Sequence, residues 1–263
     1  MRRGKLLMEK VLTSKLSLTA VADAIRKQTK STEQIPFPNG FVSEIESIDV
    51  DSAYVKGQQA EYDRFWDALQ DYGNRTTYSY GFASPSWNDA TFKPKYDIIM
   101  ANGGNCMFLN SAITDVKAIL EECGVIMDFT GCISFGNSCG SAKVTRLPTI
   151  DASSFDSNGI LYTFNRSDIE EVTIINVQPN LVWKESFVNC SKLHTLLVTG
   201  SIGTACNIQY SPLLSNESVQ SIIDALIDLT DKSTLTLSLH KDVKAKLTET
   251  QIAQITSKNW TLA

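Results

Sequence analysis

The chain has 263 residues, enough for one large domain or a domain with appendages, and its 43% hydrophobic content supports a sizeable core. With 24 basic against 29 acidic residues and a net charge of −5, it gains little from counterion release, so no nucleic-acid partner is expected. No apolar run reaches the roughly 18 residues a membrane span requires, so no membrane insertion is expected either.

Residues 1–16 mix charged and apolar groups, without the hydrophobic stretch and small-residue cleavage site of a secretory signal. Residues 13–30 predict a helix, with Leu16, Leu18, Val21, Ala22 and Ile25 as its apolar stripe and Pro36 and Pro38 beyond its end. A second short helix is expected over 40–48, carrying Phe41, Val42, Ile45 and Ile48. Two arrangements suit residues 1–50: a helical hairpin packed on the body, or a separate helical attachment segment. Val50 to Gln59 reads as a linker.

Residues 51–104 read as an aromatic-rich N-terminal cap. Tyr62, Phe65, Trp66, Leu69 and Tyr72 fall on one face of a helix over 60–72, which Gly73 and Asn74 stop. Tyr78 to Phe82 alternates large and small residues as a strand does. Trp87, Phe92 and Tyr96 follow in an irregular stretch. Aromatics at this density suit a carbohydrate platform or a lid over an open apolar end.

From 105 to 210 the chain repeats a pattern. Phe187, Cys190, Leu193, Leu196 and Val198 read F-x-x-C-x-x-L-x-x-L-x-V, and Phe164, Ser167, Ile169, Val172 and Ile174 follow nearly the same order. Phe135, Cys139, Val144 and Leu147 give a looser copy, and Phe108, Ser111, Ile113 and Val116 another. The phenylalanines lie 27, 29 and 23 residues apart. A period of this size is the mark of stacked units, each too small to bury its own apolar face. Val116–Ile119, Thr145–Leu147, Val172–Ile175 and Leu196–Val198 are the strand candidates of a parallel sheet.

Residues 211–263 read as an α-β-α-β C-terminal cap. Ser215 N-caps a helix with Val219, Ile222, Ile223 and Leu226 on its inner face. Leu235, Leu237 and Leu239 alternate with polar residues as a half-buried strand. Thr248 and Gln251 form a capping box before a last helix, and Trp260 and Leu262 close the chain in extended form.

The expected fold is therefore α/β: a short leucine-rich-repeat-type solenoid with a parallel sheet, preceded by N-terminal helices and closed by that cap. The outward strand positions Asp115, Lys117, Arg146, Glu171, Thr173, Thr195 and Leu197 are the candidate binding residues. Cys139 and Cys190 fall at matching places in the pattern, where a small apolar side chain is wanted, so the six cysteines read as reduced core residues. No spacing suggests a metal site or a cofactor. Cys190 and His194 invite a catalytic dyad, but the pattern turns Cys190 inward, away from the accessible site a thiolate requires. No catalytic residue is assigned.

The F-x-x-C-x-x-L-x-x-L-x-V order resembles leucine-rich repeats of the BspA-like type, over residues 105–210. Phe187–Val198 fits well; the Phe135 copy has extra residues, and Ser167 replaces Cys in the Phe164 copy. Leu18 through Thr29, with Ile45 and Ile48, resembles an N-terminal segment of tail-region structural proteins of phages and prophages of Gram-positive bacteria. Tyr62–Gln70, Gly73–Arg75 and Phe92–Tyr96 look like the segment preceding repeats in similar proteins, and Leu247–Thr248 with Lys258–Leu262 looks like their ending. The resemblance implies a non-enzymatic virion protein, located in the phage tail, that presents a repeat domain to a host surface protein or glycan. Its other implied partners are virion and tail proteins and copies of itself. A bacterial surface or secreted interaction module and an intracellular phage-encoded inhibitor are the alternatives.

Overall fold

The computed structural model describes residues 81–101 and 103–263, together with Ala60, Asp63, Arg64, Trp66 and Asp67. The helices expected over 13–30 and 40–48, most of the 60–72 helix and all but the end of the 78–82 strand lie outside the described residues. The chain divides into two compact units, Met1–Asp63 and Arg64–Ala263. Ala60 and Asp63 of the first are helical, as are Arg64, Trp66 and Asp67 of the second.

The second unit is mixed α/β, with small parallel sheets and few helices. Strands β1 (Ile98–Ile99) and β2 (Met127–Asp128) pair in parallel, with helix α1 (Val116–Cys123) between them in sequence. Strands β3 (Ile150–Asp151), β4 (Glu171–Val177) and β5 (Thr195–Gly200) form a second parallel sheet, in which Val172 faces Leu196 and Ile174 faces both Ile150 and Val198. The third is made of β6 (Cys206–Ile208), β7 (Leu235–Leu239) and β8 (Trp260–Leu262), with helices α2 (Asn216–Ala225), α3 (Lys241–Lys244) and α4 (Glu249–Ser257) around it. Alternation explains β4: Val172, Ile174 and Val177 are buried, while Glu171, Thr173 and Ile175 are not.

Two strand expectations are corrected. Val116–Ile119 opens α1 instead: Asp115 caps it by accepting from the Ala118 N–H at 3.0 Å, and Gly124, at φ 67°, ends it in the left-handed region. Four residues reading Val-Lys-Ala-Ile fit either period, and the flanking caps decide. At Thr145–Leu147, only Arg146 pairs, through single parallel bridges to Asp115 and Glu171.

Away from the strands, successive loops are joined by parallel main-chain hydrogen bonds. Phe82 N–H donates to Met107 O at 2.8 Å, Phe108 to Ser138 O at 2.7 Å, Cys139 to Thr163 O at 2.7 Å and Phe164 to Ser186 O at 3.0 Å. These bonds set Phe82, Phe108, Cys139, Phe164 and Phe187 level with one another, at intervals of 26, 31, 25 and 23 residues. Phe82 stacks on Phe108 and Phe164 on Phe187, with centroids 5.6 and 5.1 Å apart. The pairing read from sequence, Cys139 with Cys190, is therefore wrong. Cys139 holds a phenylalanine place, and Ala142 holds the place of Cys190. Phe135 is level with Ile160 instead, its N–H donating to Gly159 O at 2.7 Å. The extra residues before Val144 cause the shift, because they move Phe135 four positions upstream of the aromatic level.

One level earlier sits a buried row of hydroxyls. Ser138 Oγ donates to Gly104 O at 2.5 Å, Thr163 Oγ1 to Phe135 O at 3.1 Å and Ser186 Oγ to Ile160 O at 2.7 Å. All three side chains are fully buried. Each adds a second donor to a carbonyl of the preceding loop that already accepts a main-chain N–H, from Met107, Ser138 and Thr163 respectively, and so ties neighbouring loops together. Left-handed residues recur around these levels: Cys106 and Asn110, Asn137 and Ser141, Tyr162 and Arg166, Glu185 and Asn189, four residues apart in each loop.

Aromatic packing precedes these loops in the chain and a helix follows them. Trp66, Phe82, Trp87, Phe92 and Phe108 make one aromatic cluster, with neighbouring centroids 4.9 to 6.5 Å apart. After the loops, α2 lies along the free edge of β5. Ser218 Oγ accepts from Leu196 N–H and Ser221 Oγ from Val198 N–H, both at 2.9 Å, and Ser221 also donates to Leu196 O at 3.3 Å. An edge strand offers unpaired groups to any other chain, and these serines occupy them. Lys258 Nζ reaches Ile223 O at 2.8 Å and Leu226 O at 2.7 Å, placing a cation at the C-terminal end of α2. The capping box of Thr248 and Gln251 forms as the sequence predicts, and so do the Ser215 cap and β7.

Candidate functional site

Four of the seven candidate binding residues fall in one row. Asp115 pairs with Arg146, Arg146 with Glu171, and Glu171 with Thr195, each on the next loop of the fold. Thr173 and Leu197 are partners two positions further along β4 and β5. Lys117 lies exposed in the first turn of α1, its main-chain N–H donating to Arg146 O at 3.4 Å.

Much of this row is already engaged. Arg146 Nε donates to Asp115 Oδ2 at 2.8 Å and its Nη2 reaches the same oxygen. That hydrogen bond, and the charge of the carboxylate, raise the Arg146 guanidinium above its ordinary value. The Thr195 hydroxyl lies 3.0 Å from His194 Nδ1. A second charge line runs three residues upstream, where Asp168 Oδ2 lies 3.3 Å from both Lys143 and Lys192. The sign thus alternates by loop: Lys143 and Arg146 are positive, Asp168 and Glu171 negative, and Lys192 positive again. Such pairs are exposed and individually weak, but every one-loop misalignment brings like charges together.

The Cys190–His194 pair does not form a dyad. The Cys190 thiol is buried and donates to Phe164 O at 2.9 Å, while His194 turns to Thr195. Burial pushes the Cys190 thiol up to about 12, the opposite of what an attacking thiolate requires. Burial likewise pushes Cys132 and Cys206 up to about 12.

A cleft that the sequence pattern does not reveal lies beyond the last loop. Its volume is about 580 Å³, and Asn189, Ser191, Gln209, Tyr210, Pro212 and His240 line it. They come from three stretches: the loop before β5, the turn after β6 and the end of β7. Asn189, Ser191, Gln209 and Tyr210 are exposed. Asn207 Oδ1 accepts from the Gln209 N–H at 3.1 Å and fixes the turn that presents Gln209 and Tyr210. His240 Nδ1 accepts from the Asp242 N–H at 3.2 Å as the cap of α3. Asn189 takes a left-handed φ of 60°, a region that Asn tolerates.

Among the described residues, no group of three or more His, Cys, Asp or Glu side chains is placed to hold a metal ion. Likewise, no described helix is long and apolar enough to cross a membrane. No protein-family model, curated protein or solved structure matches the chain.

Proposed function

We propose that the chain is a non-enzymatic binding protein of a phage tail, whose loops are the units of a short leucine-rich-repeat-type solenoid. The observation that carries this reading is the set of parallel main-chain bonds at Phe82, Phe108, Cys139 and Phe164. Units of 23 to 31 residues stacked in this way build an extended side surface. Binding is the use to which such a surface lends itself, and the Asp115–Arg146–Glu171–Thr195 row lies along it. The tail assignment rests on the sequence resemblance of the N-terminal, pre-repeat and closing segments. Its partners are then a host surface protein or glycan, other tail proteins and copies of the chain itself.

Mass spectrometry of purified phage particles tests the assignment. The chain should co-purify with tail proteins at a fixed ratio. Intact, infective particles that lack it would contradict the tail assignment and favour a cellular role.

A further inference from the structure

The cleft beyond the last loop has a chemistry of its own. Its lining of Asn189, Ser191, Gln209, Tyr210, Pro212 and His240 includes no Lys, Arg, Asp or Glu. A site without a formal charge has little means of selecting a phosphate, a carboxylate or a cation. What it offers is amide and hydroxyl groups that both donate and accept, beside an aromatic ring that is 41% exposed. His240 closes one wall, its Nδ1 lying 3.2 Å from the Asp242 N–H nitrogen and 3.5 Å from the Asp242 carboxylate. The volume of about 580 Å³ falls in the range of small-ligand sites, and the cleft is open enough to admit part of a longer chain.

From this lining we infer that the cleft binds a neutral saccharide. Hydroxyl-rich ligands demand donors and acceptors in equal measure, which Asn189, Ser191 and Gln209 supply. A sugar ring also presents an apolar C–H face, and Tyr210 offers a flat surface for it. Pro212 stiffens the wall next to it. The inference rests on the proposed binding function and narrows it to one ligand class at one place. A protein partner would be better served by the side surface of the loops, so the cleft and the row are separable.

The test uses the full chain and a panel of neutral mono- and oligosaccharides built on glucose, galactose, N-acetylglucosamine and N-acetylgalactosamine. Saturation-transfer NMR detects contact, and titration gives affinity. At least one neutral sugar should bind, and Tyr210→Ala and Gln209→Ala should each weaken it by about tenfold or more. Glu171→Gln, on the side surface, should leave it unchanged. Circular dichroism and the urea midpoint show whether each variant is folded. No response to any neutral sugar would overturn the inference. So would equal binding by folded Tyr210→Ala, or a preference for acidic sugars. Attachment of the labelled chain to intact host cells separates the two levels. Attachment of the wild type with no response to any sugar sinks the saccharide site and leaves the binding function standing, whereas no attachment by the wild type sinks the binding function on which the site rests.

Discussion

Cys139 stands level with Phe164. Its N–H donates to Thr163 O at 2.7 Å, as that of Phe164 donates to Ser186 O at 3.0 Å. A thiol therefore interrupts a column of phenylalanines, and Phe129 and Phe135 pack edge to face nearby, with centroids 5.1 Å apart. Cys139 is fully buried, so its site has little room to spare. Cys139→Phe should therefore overpack the core and cost about 1–3 kcal/mol, although it restores the residue of the other loops. Urea denaturation measures it; a variant as stable as wild type would show that the place is larger than described.

The buried hydroxyls make a sharper test of loop stacking. Ser186→Ala removes the donor to Ile160 O, and Thr163→Val removes the donor to Phe135 O. Each carbonyl keeps its main-chain donor, so the loss of one hydrogen bond should cost about 0.5–1.5 kcal/mol. Equilibrium unfolding in urea should show both losses with unchanged slope. Neutral effects at both would mean the hydroxyls do not hold the loops together.

Asp115 has two roles, and a double-mutant cycle separates them. It caps α1 through Ala118 and pairs with Arg146. Asp115→Ala should cost about 0.5–2 kcal/mol as a lost cap. Its coupling to Arg146→Ala should be only about 0.2–1 kcal/mol, since both side chains are partly exposed, and should shrink in high salt. A coupling insensitive to salt would contradict the ion-pair reading.

The serines of α2 predict a change in association rather than activity. Replacing both Ser218 and Ser221 by Ala strips the side-chain acceptors from Leu196 and Val198 N–H. The edge of β5 then has unpaired groups, and the double variant should aggregate on warming earlier than wild type. Light scattering against temperature reads this, and an unchanged onset would mean the helix alone shields the strand.

What could be read from the sequence follows from how local each signal is. Ser215, the alternation of Leu235 to Leu239 and the Thr248–Gln251 box act within a few residues, and each forms as expected. The row of Asp115, Arg146, Glu171 and Thr195 was also legible, because each precedes an apolar position of the pattern. α1 was misread although Asp115 and Gly124 flank it, because four residues carried the strand reading. The register of Cys139 was lost because insertions shift a motif without changing its letters. The hydroxyl row and the cleft were not legible at all. Ser138, Thr163 and Ser186 matter only through carbonyls 26 to 34 residues away, and Tyr210 meets His240 only once β6 and β7 pair.

The central claim is that this chain binds a host surface. Adsorption in competition with the purified full-length chain tests it most directly. Host cells pre-incubated with excess chain should bind it saturably and then adsorb fewer phage particles, in proportion to occupancy. Cells that take up no folded chain, and adsorb phage at the normal rate in its presence, would contradict the claim.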